Sequence, residues 1–332
     1  MRVGLIGTGR IGAFHARTLS SNARVTSLVV ADVDATRAES VAAEVGAETA
    51  RDALDLARRV DALVITTAAG SHAELVRLAA DARLPVFCEK PLSLELDITN
   101  QVIEHVDRAG ISLQVGFQRR FDVGFAEARR LVASGQLGRL YAARLATHDP
   151  APPTAVYERA SGGLYRDLMI HDFDQIRWTT GQEVQEVFAV GAMLTGDDAF
   201  TQADDIDTAA VVLRLTDGGY AVVTGLRHNP RGYDVRLELF GSRDSVVSGM
   251  DQRTPMLVIG DDGETTANPG YRDFMERFES AYRDELDAFL SVARGEIESP
   301  CTGVDAREAL RIALAAMRSQ RDRRPVALEE IR

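Results

Sequence analysis

Three glycines and one acid carry the clearest chemistry in this 332-residue chain. The run Gly7-Thr8-Gly9-Arg10-Ile11-Gly12 follows an apolar strand pattern over 2–6 and opens a helical pattern over 11–20. That strand, turn and helix setting is what a dinucleotide pyrophosphate requires. Gly7 allows the tight turn, Gly9 removes a side chain that would block the phosphates, and Gly12 permits close packing of helix on strand. The phosphates then meet free N–H groups and the positive end of the helix dipole, with Arg10 and Ile11 inside the loop and Arg10 within reach of the pyrophosphate. Asp32 lies 20 residues beyond Gly12, at the end of a second strand pattern, where its carboxylate binds adenosine ribose hydroxyls. The same charge repels a 2′-phosphate, and Val33 and Asp34 follow with no arginine beside them. NAD is therefore expected as cofactor in preference to NADP; FAD uses a similar loop and stays open.

The elements that must position this loop repeat along the first part of the chain. Strand patterns over 2–6, 25–31, 61–67, 85–88 and 111–117 alternate with helical patterns over 11–20, 36–45, 73–82 and 97–108. Such alternation predicts a parallel sheet with crossover helices. Beyond Phe117 the texture changes. A helix over 124–134 and a strand over 140–147 lead to an irregular, Pro-rich stretch over 149–163 and a helix from 168 to 180. Strand patterns over 184–194, 208–216, 219–227 and 235–240 follow, separated by Gly-rich turns. The fold expected is α/β: an N-terminal Rossmann doubly wound parallel sheet (1–120) and a C-terminal α+β domain (121–332) with a large, mostly antiparallel open sheet. An amphipathic helix over 304–318 must dock on something.

Composition excludes several partners. With 38 Lys and Arg against 50 Asp and Glu, the formal net charge of -12 disfavours nucleic acid and anionic lipid. Two cysteines far apart make neither a disulfide framework nor a thiolate zinc site, and suit a reducing compartment. No stretch approaches the length of a membrane span. A cytoplasmic protein with a small-molecule substrate is expected.

Two later segments give the sequence a family likeness. Cys88-Glu89-Lys90-Pro91-Leu92 and Gly162-Gly163-Leu164-Tyr165-Arg166-Asp167-Leu168-Met169-Ile170-His171 occur in order after the glycine loop. With Gly116-Phe117-Gln118-Arg119-Arg120-Phe121, His148-Asp149-Pro150 and Gly232-Tyr233-Asp234, they make the chain resemble the Gfo/Idh/MocA family of NAD(P)-dependent sugar and polyol dehydrogenases, in its inositol 2-dehydrogenase branch. The resemblance runs from Arg2 to the terminal helix. It implies Lys90, Asp167 and His171 as catalytic residues, Tyr233 as a shaper of the substrate pocket, and Glu89 and Lys90 beside the cofactor. It also implies a homodimer or homotetramer formed through the C-terminal sheet, and a last helix that returns to the first domain. The family's usual Thr-Pro-Asn after the fourth strand is replaced here by Thr67-Ala68-Ala69, followed by Gly70-Ser71-His72; Thr67 and His72 are expected near the cofactor.

The chemistry fits those residue types. Oxidising a secondary alcohol needs a hydride acceptor and removal of the hydroxyl proton. Asp167 and His171, spaced i, i+4, project from one face of a helix, so the carboxylate can orient the imidazole. Histidine titrates near neutrality and suits a general base. Lys90, at a strand's carboxyl end, polarises the substrate oxygen or itself takes the proton; the sequence leaves the two roles open. His148, just before the Pro-rich stretch, is expected to reach substrate. Asp172 and Asp174 beside His171 are metal-ligand types, but the family chemistry uses no metal and none is expected. The reaction implied is oxidation of a myo-inositol-like cyclic polyol or sugar to a ketone. A sugar or anhydrosugar dehydrogenase, an NAD-dependent glycosidase and a non-catalytic nucleotide-sensing regulator are the alternatives.

Overall fold

A computed structural model describes residues 1–332, which form two units: Met1–Phe117 with Tyr282–Glu308, and Gln118–Ala281 with Ala309–Arg332. This division differs from a simple cut near residue 120. Residues 282–308 belong to the first unit, and the helix expected over 304–318 is divided between the two. The physical reason in the first unit is local: Leu286, Phe289 and Leu290 share one apolar core with Val3, Leu5, Val30 and Phe87.

In the first unit the chain runs β1 (Arg2–Ile6), α1 (Arg10–Ser20), β2 (Ser27–Ala31), α2 (Ala35–Val45), β3 (Glu48–Thr49), α3 (Ala53–Ala57), β4 (Ala62–Ile65), α4 (His72–Asp81), β5 (Val86–Glu89), α5 (Leu96–Ala109) and β6 (Leu113–Gly116). The six strands lie in the order β3-β2-β1-β4-β5-β6, and every neighbouring pair is parallel. This is the doubly wound order with its crossing point between β1 and β4. Central strands read as unbroken apolar runs because both faces are covered; all four residues of β4 are buried. Asp34 caps α2 by accepting from Arg37 N, and Gly46 and Gly110 end α2 and α5.

The second unit contains α6 (Val123–Ala133), β7 (Leu140–His148), α7 (Ala155–Ser161), a five-residue π turn (Leu164–Leu168), α8 (Ile170–Thr180), β8 (Val184–Ala192), α9 (Asp198–Ala203), β9 (Thr208–Leu215), β10 (Tyr220–Leu226), β11 (Asp234–Gly241), β12 (Ser245–Ser248), the hairpin β13 (Leu257–Ile259) and β14 (Thr265–Ala267), and α10 (Phe274–Arg277). Then α11 (Glu279–Ala293) and α12 (Gly303–Asp322) carry residues of both units, and β15 (Val326–Ala327) closes the second. Its seven strands lie in the order β12-β11-β7-β10-β9-β8-β15, antiparallel except for β7 beside β10. Strand alternation sets one face inward: Val187, Ala189, Val211 and Leu213 are buried, whereas Phe188, Val190 and Val212 are exposed. Helix α8 is different, since Asp172, Asp174 and Gln175 are buried along with its apolar residues. Buried polar groups of this kind need partners.

Candidate active site

The glycine loop is fixed by close backbone approach. Gly7 has φ +95°, and a Cβ there would lie 2.7 Å from Thr67 N. A Cβ on Gly12 would come within 1.8 Å of Gly7 O, so helix α1 packs where only glycine fits. Gly9 is the contrast: it is the N-cap of α1, no side chain caps it, and a Cβ there would meet open space. The first-turn amides of α1 have no intrahelical acceptor. Open space in front of uncapped amides fits a pyrophosphate, with Arg10 exposed at the same turn.

Asp32 does more than wait for a ribose. Its carboxylate accepts from Thr8 N at 2.6 Å, the Thr8 hydroxyl at 3.0 Å and Asp34 N at 2.9 Å, tying β2 to the glycine loop. Burial pulls this carboxyl upward, but the bonds from Asp34 and Thr8 outweigh it and hold it below the usual carboxylate range. The absence of an arginine next in sequence proves incomplete as an argument. One turn into α2, Arg37 lies 3.6 Å from Asp32 and 3.5 Å from Asp34, engaged by both acids.

At the carboxyl end of β5, Glu89 and Lys90 are both half-buried, and the Lys90–Pro91 peptide is cis. Glu89 Oε1 lies 2.9 Å from His15 Nε2, so His15 joins α1 to the end of β5. His72 does not present a free ring. It is buried, with Nδ1 2.7 Å from Pro91 O and Nε2 3.0 Å from Thr67 O, and burial pushes it below the usual histidine value. Its role here is to hold the turn after β4 against the turn after β5. Thr67 receives a bond from the Ser71 hydroxyl at 2.7 Å. Beneath this group, Glu285 is fully buried with neither carboxyl oxygen hydrogen-bonded; burial and the nearby Glu89 charge push it well above the usual range.

In the second unit the expected helix carrying both Asp167 and His171 is interrupted. Met169 N donates to Leu164 O at 3.0 Å, closing an i, i+5 turn, and α8 begins only at Ile170. Asp167 therefore sits in the π turn and His171 in the first turn of α8, a junction that an i, i+4 spacing cannot reveal. The preceding glycines are required: Gly162 and Gly163 have φ +94° and +83°, and a Cβ on Gly163 would lie 2.6 Å from Asp205. The Asp167 carboxylate accepts from Tyr157 Oη at 3.0 Å and from Arg227 at 2.7 Å. Arg227 is buried and also pairs with Asp149 at 2.9 Å and Glu158 at 3.5 Å. Both Glu158 oxygens lack a hydrogen bond. Burial, opposed by Arg227 and aided by Asp205 and Asp167, raises its carboxyl to about 8.

A second network lies at the same end of the sheet. Arg119 donates to Asp172 and to Thr147, each at 2.8 Å, with Tyr233 close enough for its charge to act on the phenol. Arg120 pairs with Asp174. These partners engage both acids that follow His171 in sequence. Tyr233 is buried, its ring against Phe274 and Phe278, which makes it a wall. Beside it, His148 bonds to the Thr224 hydroxyl at 3.1 Å and lies 3.6 Å from Asp234. Asp149, the next residue, reaches Arg227.

The structure thus gathers Gly7, Gly9, Arg10, Ile11, Gly12, Asp32, Thr67, His72, Glu89 and Lys90 at the carboxyl ends of β1, β2, β4 and β5. It places Asp167, His148 and Tyr233 with their partners at the β7, β10 and β11 end of the second sheet, and His171 on α8. Sequence reading missed Arg227, Tyr157, Glu158 and Glu285; α7 lay inside a stretch read as irregular. The one available signal was an arginine in an otherwise apolar strand end.

The chain was compared with known proteins. Residues 1–117 match the oxidoreductase family, NAD-binding Rossmann fold, and residues 125–247 match the GFO/IDH/MocA C-terminal domain. A myo-inositol 2-dehydrogenase of Thermotoga maritima is 37% identical over 100% of this chain and 99% of its own. A putative myo-inositol dehydrogenase structure from Sinorhizobium meliloti 1021 superposes with TM-score 0.92 at 34% identity, covering 99% of each chain. A scyllo-inositol dehydrogenase from Lactobacillus casei, solved with bound NAD(H) and scyllo-inositol, has TM-score 0.89 at 26% identity, covering 99% of each. No helix of this chain is long and apolar enough to cross a membrane.

Proposed function

The chain belongs to the GFO/IDH/MocA oxidoreductases, with an NAD-binding Rossmann domain, and from that premise we propose that it oxidises a secondary hydroxyl of a cyclic polyol, myo-inositol first, to the ketone. The observation that carries the reading is the Asp167 carboxylate, held by Arg227 and Tyr157 on the turn that leads into His171. NAD, when bound, supplies the hydride acceptor. Gly7, Gly9, Arg10, Ile11 and Gly12 would hold its pyrophosphate, and Asp32 its ribose.

His171 removes the hydroxyl proton as the carbinol hydride leaves, so a ketone and one released proton balance the two-electron oxidation. Asp167, its carboxylate held by the buried Arg227, orients the substrate hydroxyl and the imidazole. Lys90 stands at the end of β5, suited to stabilise the developing alkoxide. His148 and Tyr233 line the same end of the second sheet and shape what the pocket accepts. The exposed face of that sheet, with Phe188 beside Val212 and Val212 beside Val222, supports a homodimer or homotetramer.

The test is production of NADH by purified protein with myo-inositol, scyllo-inositol, aldoses and anhydrosugars, with NAD and NADP in parallel. Net NADH from a free polyol is expected, with NAD preferred. Cleavage of a glycoside without net NADH would instead identify a glycosidase. Lys90→Ala should lose at least about a hundredfold in kcat and keep its NAD affinity.

A further inference from the structure

We propose that Tyr157 and Arg227 are positioning residues for the Asp167 carboxylate, and that they latch the short helix α7 to the turn that carries it. The proposal rests on Asp167 being a site residue. Each oxygen of that carboxylate has its own donor, Oδ1 the Tyr157 hydroxyl at 3.0 Å and Oδ2 the Arg227 guanidinium at 2.7 Å. Two donors on two oxygens fix the plane of the carboxylate as well as its place. Tyr157 is half-exposed, yet its hydroxyl turns inward. The Asp167 charge, with burial, pushes this phenol upward, so it remains a donor at all working pH values.

The groups that face this cluster come from five segments: Tyr157 and Glu158 on α7, Asp149 after β7, Asp167 in the π turn, Asp205 after α9, and Arg227 after β10. Asp205 in turn accepts from Leu164 N at 2.8 Å, at the first residue of the π turn. Around Arg227, Asp149 and Asp167 already exceed its single charge. A third anion on the same guanidinium is unfavourable, and Glu158 holds its proton to about pH 8. The protonated Glu158 is what lets α7 lie against two carboxylates. Above that pH the latch carries an extra buried charge and loosens.

The experiment uses the full chain with Tyr157→Phe and Glu158→Gln, each checked for folding by circular dichroism. With myo-inositol, Tyr157→Phe should lower kcat about tenfold while the KM for NAD stays within twofold. Hydrogen exchange over residues 155–161 should accelerate in the same variant. In the wild type that exchange should rise above about pH 8, beyond the intrinsic pH dependence, and Glu158→Gln should abolish the rise. An active wild type whose Tyr157→Phe variant keeps kcat and exchange unchanged overturns the positioning role. Identical exchange profiles in wild type and Glu158→Gln overturn the latch. A wild type inactive on every polyol overturns the dehydrogenase reading instead, and the exchange measurements still decide the latch.

Discussion

The cofactor loop of the first unit and the Arg227 cluster of the second reach the same end, a fixed site for a polar group, by opposite means. The loop is made of backbone: glycines at short range, uncapped helix amides, and one carboxylate that staples Thr8. The cluster is made of side chains from residues 149, 157, 158, 167 and 227, brought together only when four segments meet. A site made of backbone tolerates little change in shape and much change in charge. A site made of buried charges has the reverse sensitivity.

The largest effect should come from breaking the charge balance. Arg227→Ala leaves Asp149 and Asp167 without their buried cation, and should cost about 3–5 kcal/mol in urea unfolding. Arg227→Lys keeps the charge but not the fork, and should recover only part of that loss. If Arg227→Ala is as stable as wild type, the cluster does not hold the second unit together.

Shape is tested next with one methyl at two glycines. Gly12→Ala drives a Cβ against Gly7 O and should destabilise by about 3 kcal/mol. Gly9→Ala meets nothing in the ligand-free chain, so its melting temperature should hold while NAD affinity falls about tenfold by titration calorimetry. Equal stability losses in the two variants would break the contrast.

Asp32→Ala removes the carboxylate but leaves Arg37 nearby, so it should weaken NAD binding about tenfold and narrow the preference over NADP, read from the ratio of the two kcat/KM values.

The smallest effect, near pH 5, is expected at Glu285, the buried acid of the first unit. Its folded-state value lies above the ordinary 4.5, so the folded chain keeps a proton that the unfolded chain releases. The stability it contributes is present below about pH 4.5 and lost as pH rises toward the raised value. Glu285→Gln should change stability by less than about 1 kcal/mol near pH 5 and flatten the decline on the alkaline side. Parallel stability profiles would mean that Glu285 is ionised in the fold.

How much was legible follows the same division. The parallel strands, their helices and the glycine loop were readable because each depends on neighbours a few residues away: apolar runs for buried strands, a glycine triplet for a phosphate turn. The boundaries were less so. Residues 282–308 join the first unit because Leu286, Phe289 and Leu290 complete its core, a fact of packing across the whole chain. The i, i+4 spacing of Asp167 and His171 suits an α-helix, and nothing local announces that Asp167 sits in a π turn that ends before α8 begins. The prolines at 150, 152 and 153 hid α7, which starts directly after them with Thr154 as its cap.

By itself, then, the sequence determined the dinucleotide loop, the alternation of strands and helices along the first part of the chain, and the residue types that could oxidise an alcohol. Those are consequences of spacing, which any reader of the chain can count. Tertiary structure alone decided which carboxylates share Arg227, how burial and neighbouring charges shift Glu158, and that both ring nitrogens of His72 are bonded within the fold. The reason is electrostatic as much as geometric. A charge's state depends on burial and on partners tens of residues away, and neither exists until the chain has folded.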